Sequence, residues 1–209
     1  MPTRGPRQAI AVLCSGDGTN LQAILDAIRQ RRLRATVAAV ISDRPSARAL
    51  DRARRAGVPA RVVDGSDYSS REAYDRALAG VIRHSGARWI VLAGFMRILT
   101  RGFVRQFAGR ILNIHPALLP AFRGAHAIRD ALAYGVQVTG VTIHLVEAEV
   151  DHGPVIAQIP VPVRPNDTEA TLLARVHCVE HVWYPRVIQW AISGRLRVRR
   201  RGVQIRGER

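Results

Sequence analysis

The sequence predicts an α/β fold: a doubly wound, mostly parallel sheet with an added antiparallel strand pair and a long C-terminal helix. Three observations carry this. Over the first hundred residues short apolar runs alternate with stretches of helical periodicity, which implies right-handed crossovers between parallel strands. Around 137–163 the rhythm changes to polar/apolar alternation on either side of Gly153-Pro154, as in an antiparallel pair. From Thr168 to Ile192 one amphipathic repeat runs unbroken until Gly194.

Each element has its own cause. Residues 9–14 are a continuous apolar run closed by the turn Ser15-Gly16-Asp17-Gly18-Thr19-Asn20, after which Leu21, Ile24, Leu25 and Ile28 recur at helical spacing. Residues 37–41 give a second strand, and the helix expected over 47–56 stops at Gly57 and Pro59. Strands at 60–63, 89–93 and 110–114, with a helix over 70–82, complete the alternating half. Beyond Gly194, Arg residues at 195, 197, 199, 200, 201, 206 and 209 mark a basic tail. A single domain over 1–198, with a tail over 199–209, is expected.

The length of 209 residues suits one such domain, and a 47% hydrophobic content supplies its core and excludes disorder throughout. All 32 basic residues are Arg, against 16 acidic ones, for a formal charge of +16. Such a balance fits nucleic acid, an anionic membrane surface, small anionic substrates or a general preference for Arg, and composition does not choose among them. Cys14 and Cys178 are too few for a disulfide framework, which points to a reducing compartment. With no secretory apolar stretch and no long uncharged run, a cytoplasmic protein without a membrane partner is expected.

The Gly-rich turn offers exposed N–H groups and the positive end of a helix, both of which favour anions. Its dinucleotide pattern is incomplete, because the third glycine falls at Leu21, so a monophosphate is the more economical ligand and a structural turn the plain alternative. In Leu112-Asn113-Ile114-His115-Pro116, Asn113 and His115 share one face of a strand at its carboxyl end, where open α/β sheets bind ligands. An amide donor beside an imidazole suits acyl transfer through an oxyanion; a packed His and a turn-capping Asn is the bland alternative. Asp151, in the loop between the antiparallel strands, can fold over the same edge and raise the His115 pKa. His177, Glu180 and His181 match an H-x-x-E-H zinc pattern, yet after His181 the sole acidic side chain is Glu208, so no metal is expected.

Six motifs together resemble one family in order and spacing over about 8–198: the 15–23 turn, Ser70 to Asp75, Leu92-Ala93-Gly94-Phe95-Met96-Arg97-Ile98-Leu99, Leu112 to Pro120, Asp151 to Ile156, and Glu180-His181-Val182-Trp183-Tyr184-Pro185. The chain resembles the phosphoribosylglycinamide formyltransferases. The resemblance implies a Rossmann-like formyltransferase fold that moves the formyl group of 10-formyltetrahydrofolate to glycinamide ribonucleotide, with Asn113, His115 and Asp151 catalytic. It implies that Gly18, Thr19 and Asn20, together with His177, Cys178, Val179 and Glu180, hold the ribonucleotide. It assigns Arg71, Met96, Arg97, Ile98, Leu99, Asn113, Glu147, Ala148, Glu149, Val150 and Asp151 to the folate.

Two departures from the family pattern bear on the acceptor. Asp17 places a negative charge inside the phosphate turn, and Ala117 with Arg123-Gly124 is similar to the methionyl-tRNA formyltransferases. The alternatives are therefore a formyltransferase of the same family with another amine acceptor, or a basic nucleic-acid-binding module using the Arg-rich tail. Length argues against the larger relatives with an RNA-binding or regulatory domain, and the tail lacks interleaved aromatics. Small-molecule substrates, no nucleic acid, and a monomer or homodimer are expected.

Overall fold

The computed structural model describes residues 7–199 and 202–207. Nine strands form one sheet: β1 (Gln8–Cys14), β2 (Ala35–Ser42), β3 (Ala60–Val62), β4 (Trp89–Leu92), β5 (Ile111–His115), β6 (Val138–Leu145), β7 (Val155–Pro162), β8 (Leu196–Arg199) and β9 (Gly202–Ile205). Their spatial order is β3-β2-β1-β4-β5-β6-β7-β9-β8. The first five are mutually parallel. β6 pairs antiparallel with both β5 and β7, as the alternating sequence predicts.

Side-chain alternation along β1 shows how the sheet acquires two cores. Ile10, Val12 and Cys14 point to one face, where they meet Leu21 and Ile24 of α1 (Thr19–Arg29), Ala49 and Ala53 of α2 (Arg48–Arg55), and α6 (Glu169–Ile192). Ala11 and Leu13 point to the other, against Tyr74, Leu78 and Ile82 of α3 (Arg71–His84) and Phe103 of α4 (Arg101–Gln106). A fifth helix, α5 (Ala127–Tyr134), adds Ile128 to the first face. Because the central strands are covered on both sides, they read as unbroken apolar runs.

Helix α6 begins at a capping box in which Thr168 and Thr171 satisfy each other's backbone N–H groups. At its centre Tyr184 is fully buried, and its hydroxyl lies 2.8 Å from the carbonyl of Leu92, the last residue of β4, and 3.1 Å from that of Leu112, within β5. A helix side chain thereby reaches the sheet edge at which the strands open into loops.

Three features differ from the sequence reading. Helices α4 and α5 were not expected from it, being six and eight residues long. The stretch expected as a basic tail instead contributes β9, which pairs antiparallel with β8 and meets β7 at Val155↔Gly202. Alternation of Arg with Leu196, Val198, Val203 and Ile205 makes this a hairpin, with the cations on the solvent side and Leu196, Val203 and Ile205 against the core. Arg200, Arg201, Glu208 and Arg209 lie outside the described residues.

Candidate active site

The carboxyl ends of β4 and β5 open onto a cleft of about 280 Å³. One wall is the loop after β4, with Met96, Arg97, Ile98 and Leu99; the other is the loop between β6 and β7, Glu147, Ala148, Glu149, Val150 and Asp151; Asn113 and His115 lie between them. Among the residues expected at the folate, Arg71 alone does not line the cleft; its Nη2 donates to the Ile98 carbonyl at 2.7 Å.

Asn113 and His115 project from β5 two residues apart, and the antiparallel register sets them opposite His144 and Thr142 of β6. Asp151 sits among them. Its Oδ2 lies 3.4 Å from His115 Nδ1 and accepts from the Gly124 N–H at 3.0 Å, while Oδ1 lies 3.5 Å from Asn113 Nδ2 and 3.7 Å from His144 Nε2. The second His115 nitrogen, Nε2, is 2.8 Å from the Phe122 carbonyl, which can only accept, so Nε2 carries a proton. Both holding residues strain their backbones: Phe122 has φ 49° and Asp151 φ 52°, left-handed values that cost L side chains about 1–3 kcal/mol.

His144 is the residue the sequence reading missed. Its Nδ1 is 2.9 Å from the Leu145 carbonyl and so bears hydrogen, and its Nε2 lies 3.1 Å from Asn113 Nδ2 and 3.7 Å from Asp151 Oδ1. The ring thereby braces both the Asn113 amide and the Asp151 carboxylate. Its position in the alternating run 137–146, opposite Asn113 once strands are paired, was the available clue.

The pKa expectation for His115 requires correction. Burial pushes the imidazole down, and this outweighs the Asp151 charge and the Phe122 carbonyl, which push it up, so the net direction is below the ordinary His value. For Asp151, burial pushes upward, but His144, the Gly124 N–H and His115 together hold the carboxyl below its usual range. Sequence showed the carboxylate partner and could not show that the ring is 4% exposed.

The residues expected at the ribonucleotide lie at the start of α1 and on α6. Gly18 caps this helix with φ 72° and no side-chain cap, and a methyl group there would sit 2.7 Å from Ala49 Cβ, so only glycine allows α2 this close. The uncapped first-turn N–H groups, at Thr19 and Asn20, are free for an anion. Asn20 Nδ2 donates to Glu180 Oε2 at 2.7 Å across from α6, and His177 Nε2 stands 3.9 Å from the same oxygen. Burial raises the Glu180 pKa, opposed by Asn20 and His177. Cys178 is exposed and Val179 packs against the core instead. Asp17 does not oppose an anion alone, because Arg48 pairs with it at 3.1 Å. Among the described residues no group of three or more His, Cys, Asp or Glu, His177, Glu180 and His181 included, has an arrangement that could hold a metal ion.

Residues 8–188 match the family described as Formyl transferase. The chain belongs to that family. This formyl transferase is 46% identical over 200 residues, covering 96% of the chain and 94% of the relative, to a phosphoribosylglycinamide formyltransferase of Escherichia coli (strain K12). It superposes on a crystal structure of glycinamide ribonucleotide transformylase 1 from Symbiobacterium toebii with a TM-score of 0.95 at 48% identity, covering 98% of this chain and 97% of that one. It also matches, at 44% identity over 92% of its length, 19% of the human trifunctional purine biosynthetic protein adenosine-3.

Proposed function

We propose that the protein transfers the formyl group of 10-formyltetrahydrofolate to the amine of glycinamide ribonucleotide, the acceptor named in its relatives. The observation that carries this reading is the meeting of Asn113, His115 and Asp151 within 3.5 Å contacts at the rim of a cleft, together with the uncapped helix start that follows β1. The donor, when bound, supplies an activated formyl carbon. The loops 94–99 and 146–151 fit it, lining the cleft and presenting the exposed apolar side chains of Met96 and Ile98.

Each residue then has a task. Thr19 and Asn20 N–H groups hold the acceptor phosphate, and Glu180, fixed by Asn20, faces the ribonucleotide. As the amine attacks the formyl carbon, the Asn113 amide donates to the developing oxyanion. His115, protonated against Asp151, exchanges the Phe122 carbonyl for that oxygen and delivers its Nε2 proton to the leaving nitrogen as the bond between that nitrogen and the formyl carbon breaks; the proton shed by the attacking amine returns to the imidazole. Asp151 keeps the imidazolium accessible despite burial. We further propose a cytoplasmic monomer or homodimer; among the described residues no helix is long and apolar enough to cross a membrane.

The deciding experiment incubates purified protein with 10-formyltetrahydrofolate and, in parallel, glycinamide ribonucleotide or methionyl-tRNA, with EDTA present. Formylation of the ribonucleotide alone is the expected result. Transfer only to methionyl-tRNA, or to neither, overturns the reading.

A further inference from the structure

The 94–99 wall of the cleft has no regular secondary structure, yet its backbone is tied at alternate residues. Gly94 O accepts from Ser15 N at 2.9 Å, Ser15 Oγ accepts from Met96 N at 2.8 Å, Arg71 donates to Ile98 O at 2.7 Å, and Asp75 Oδ2 accepts from Thr100 N at 2.7 Å. Residue 97 is held by another device. The Arg97 guanidinium lies 4.3 Å from the centroid of the Tyr74 ring, which is 2% exposed. Against the same guanidinium stands Gly65, in a 3₁₀ turn over Gly65–Asp67, where a methyl group would come within 2.6 Å of Nη2. Asp64, next along, feels the Arg97 charge. The Tyr74 hydroxyl has no hydrogen-bond partner, so the aromatic face is what Tyr74 offers.

We propose that Arg97 is a positioning residue for the formyl donor, its guanidinium seated between the Tyr74 ring and Gly65 so that the 94–99 loop is set before the donor arrives. This rests on the reading that the cleft takes the donor. Met96 and Ile98, on either side of Arg97, are 57% and 59% exposed and have little packing of their own to hold them. Without the seated guanidinium, ordering them falls to the binding step and weakens it. The acceptor groups on α1 and α6 and the catalytic groups on β5 are held by other contacts. The effect is therefore specific to one substrate.

The test is steady-state kinetics on the full chain with Arg97→Ala, Gly65→Ala, the double variant and Tyr74→Phe, each checked by its thermal midpoint. Gly65→Ala displaces the guanidinium while keeping the charge, and the Gly65 backbone lies outside the positive-φ range, so it accepts alanine. Arg97→Ala and Gly65→Ala each raise the donor KM by about tenfold, as loss of a half-buried cation–π contact implies, with kcat and acceptor KM within about twofold. Because both act on one contact, the double variant is no worse than Arg97→Ala. Tyr74→Phe, which keeps the ring, retains the wild-type donor KM. A donor KM unchanged in Arg97→Ala, multiplying effects in the double variant, an equal rise in acceptor KM, or a Tyr74→Phe defect matching Arg97→Ala overturns the proposal. Wild-type protein that transfers no formyl group overturns the functional reading too, whereas active wild type with an unaffected Arg97→Ala overturns the positioning role alone.

Discussion

Replacing Asp151 by Asn removes one charge and little volume, and its consequence can be worked from the geometry. Opposite unit charges 3.4 Å apart attract by about 5 kcal/mol at an effective dielectric of 20. The His115 and Asp151 side chains are only 5% and 8% exposed, so water screens the pair weakly while desolvation offsets part of the attraction. Burial already pushes the imidazole below its ordinary pKa, and loss of the carboxylate removes the largest opposing influence. At neutral pH the variant is left with about a thousandfold less imidazolium, and kcat falls in proportion. The sign is also fixed: the pH at which activity depends on protonated His115 moves down, so the variant recovers part of its rate as the pH is lowered. The assay is formyl transfer to glycinamide ribonucleotide at saturating substrates from pH 5 to 9, with the thermal midpoint as a control for folding. A kcat within about tenfold of wild type at pH 7, on an unmoved profile, refutes the role given to the pair.

Three further outcomes follow from the packing. Tyr184→Phe leaves the Leu92 and Leu112 carbonyls short of a buried partner and lowers stability by about 1–3 kcal/mol, read from denaturant unfolding. A thiol reagent labels one cysteine in the native protein and two once it is unfolded, since Cys178 is exposed while burial pushes the Cys14 thiol up to about 12. For buried His115 and half-buried His181 the folded pKa lies below the unfolded one, so the unfolded chain binds more protons as the pH drops below about 6.5. Thermal midpoints therefore fall from pH 7 to pH 5, and His181→Gln makes that fall shallower.

The parallel half of the sheet was legible in the sequence because strands covered on both faces must be apolar throughout, as residues 9–14 and 89–93 are. Asn113, His115 and Asp151 were legible for a related reason, a strand end and a loop that topology returns to it. What failed to show were features decided by neighbours distant in sequence. His144 looked like one polar member of an alternating strand until the register placed it against Asn113. The C-terminal hairpin was masked because Arg197 and Arg199 interrupt the few apolar side chains that bind it to the core, Leu196, Val203 and Ile205. Arg97 belongs to a motif whose backbone faces the cleft, and only the fold reveals the ring of Tyr74 beneath its guanidinium. The direction of the His115 pKa depends on how deeply the ring is buried, a quantity no spacing encodes.

Helix α6 carries Glu180, bonded to the start of α1, and one turn later Tyr184, whose hydroxyl reaches the last carbonyl of β4 and the Leu112 carbonyl of β5 beside it. Four residues of α-helix span about 6 Å along the axis. Two separate molecules, neither bonded to the protein, must be brought to within reacting distance with sub-ångström repeatability, and this single rod serves as their common gauge. A substitution that slides α6 along its axis would leave both seats intact yet misalign them, giving an enzyme that binds each substrate normally and joins them slowly.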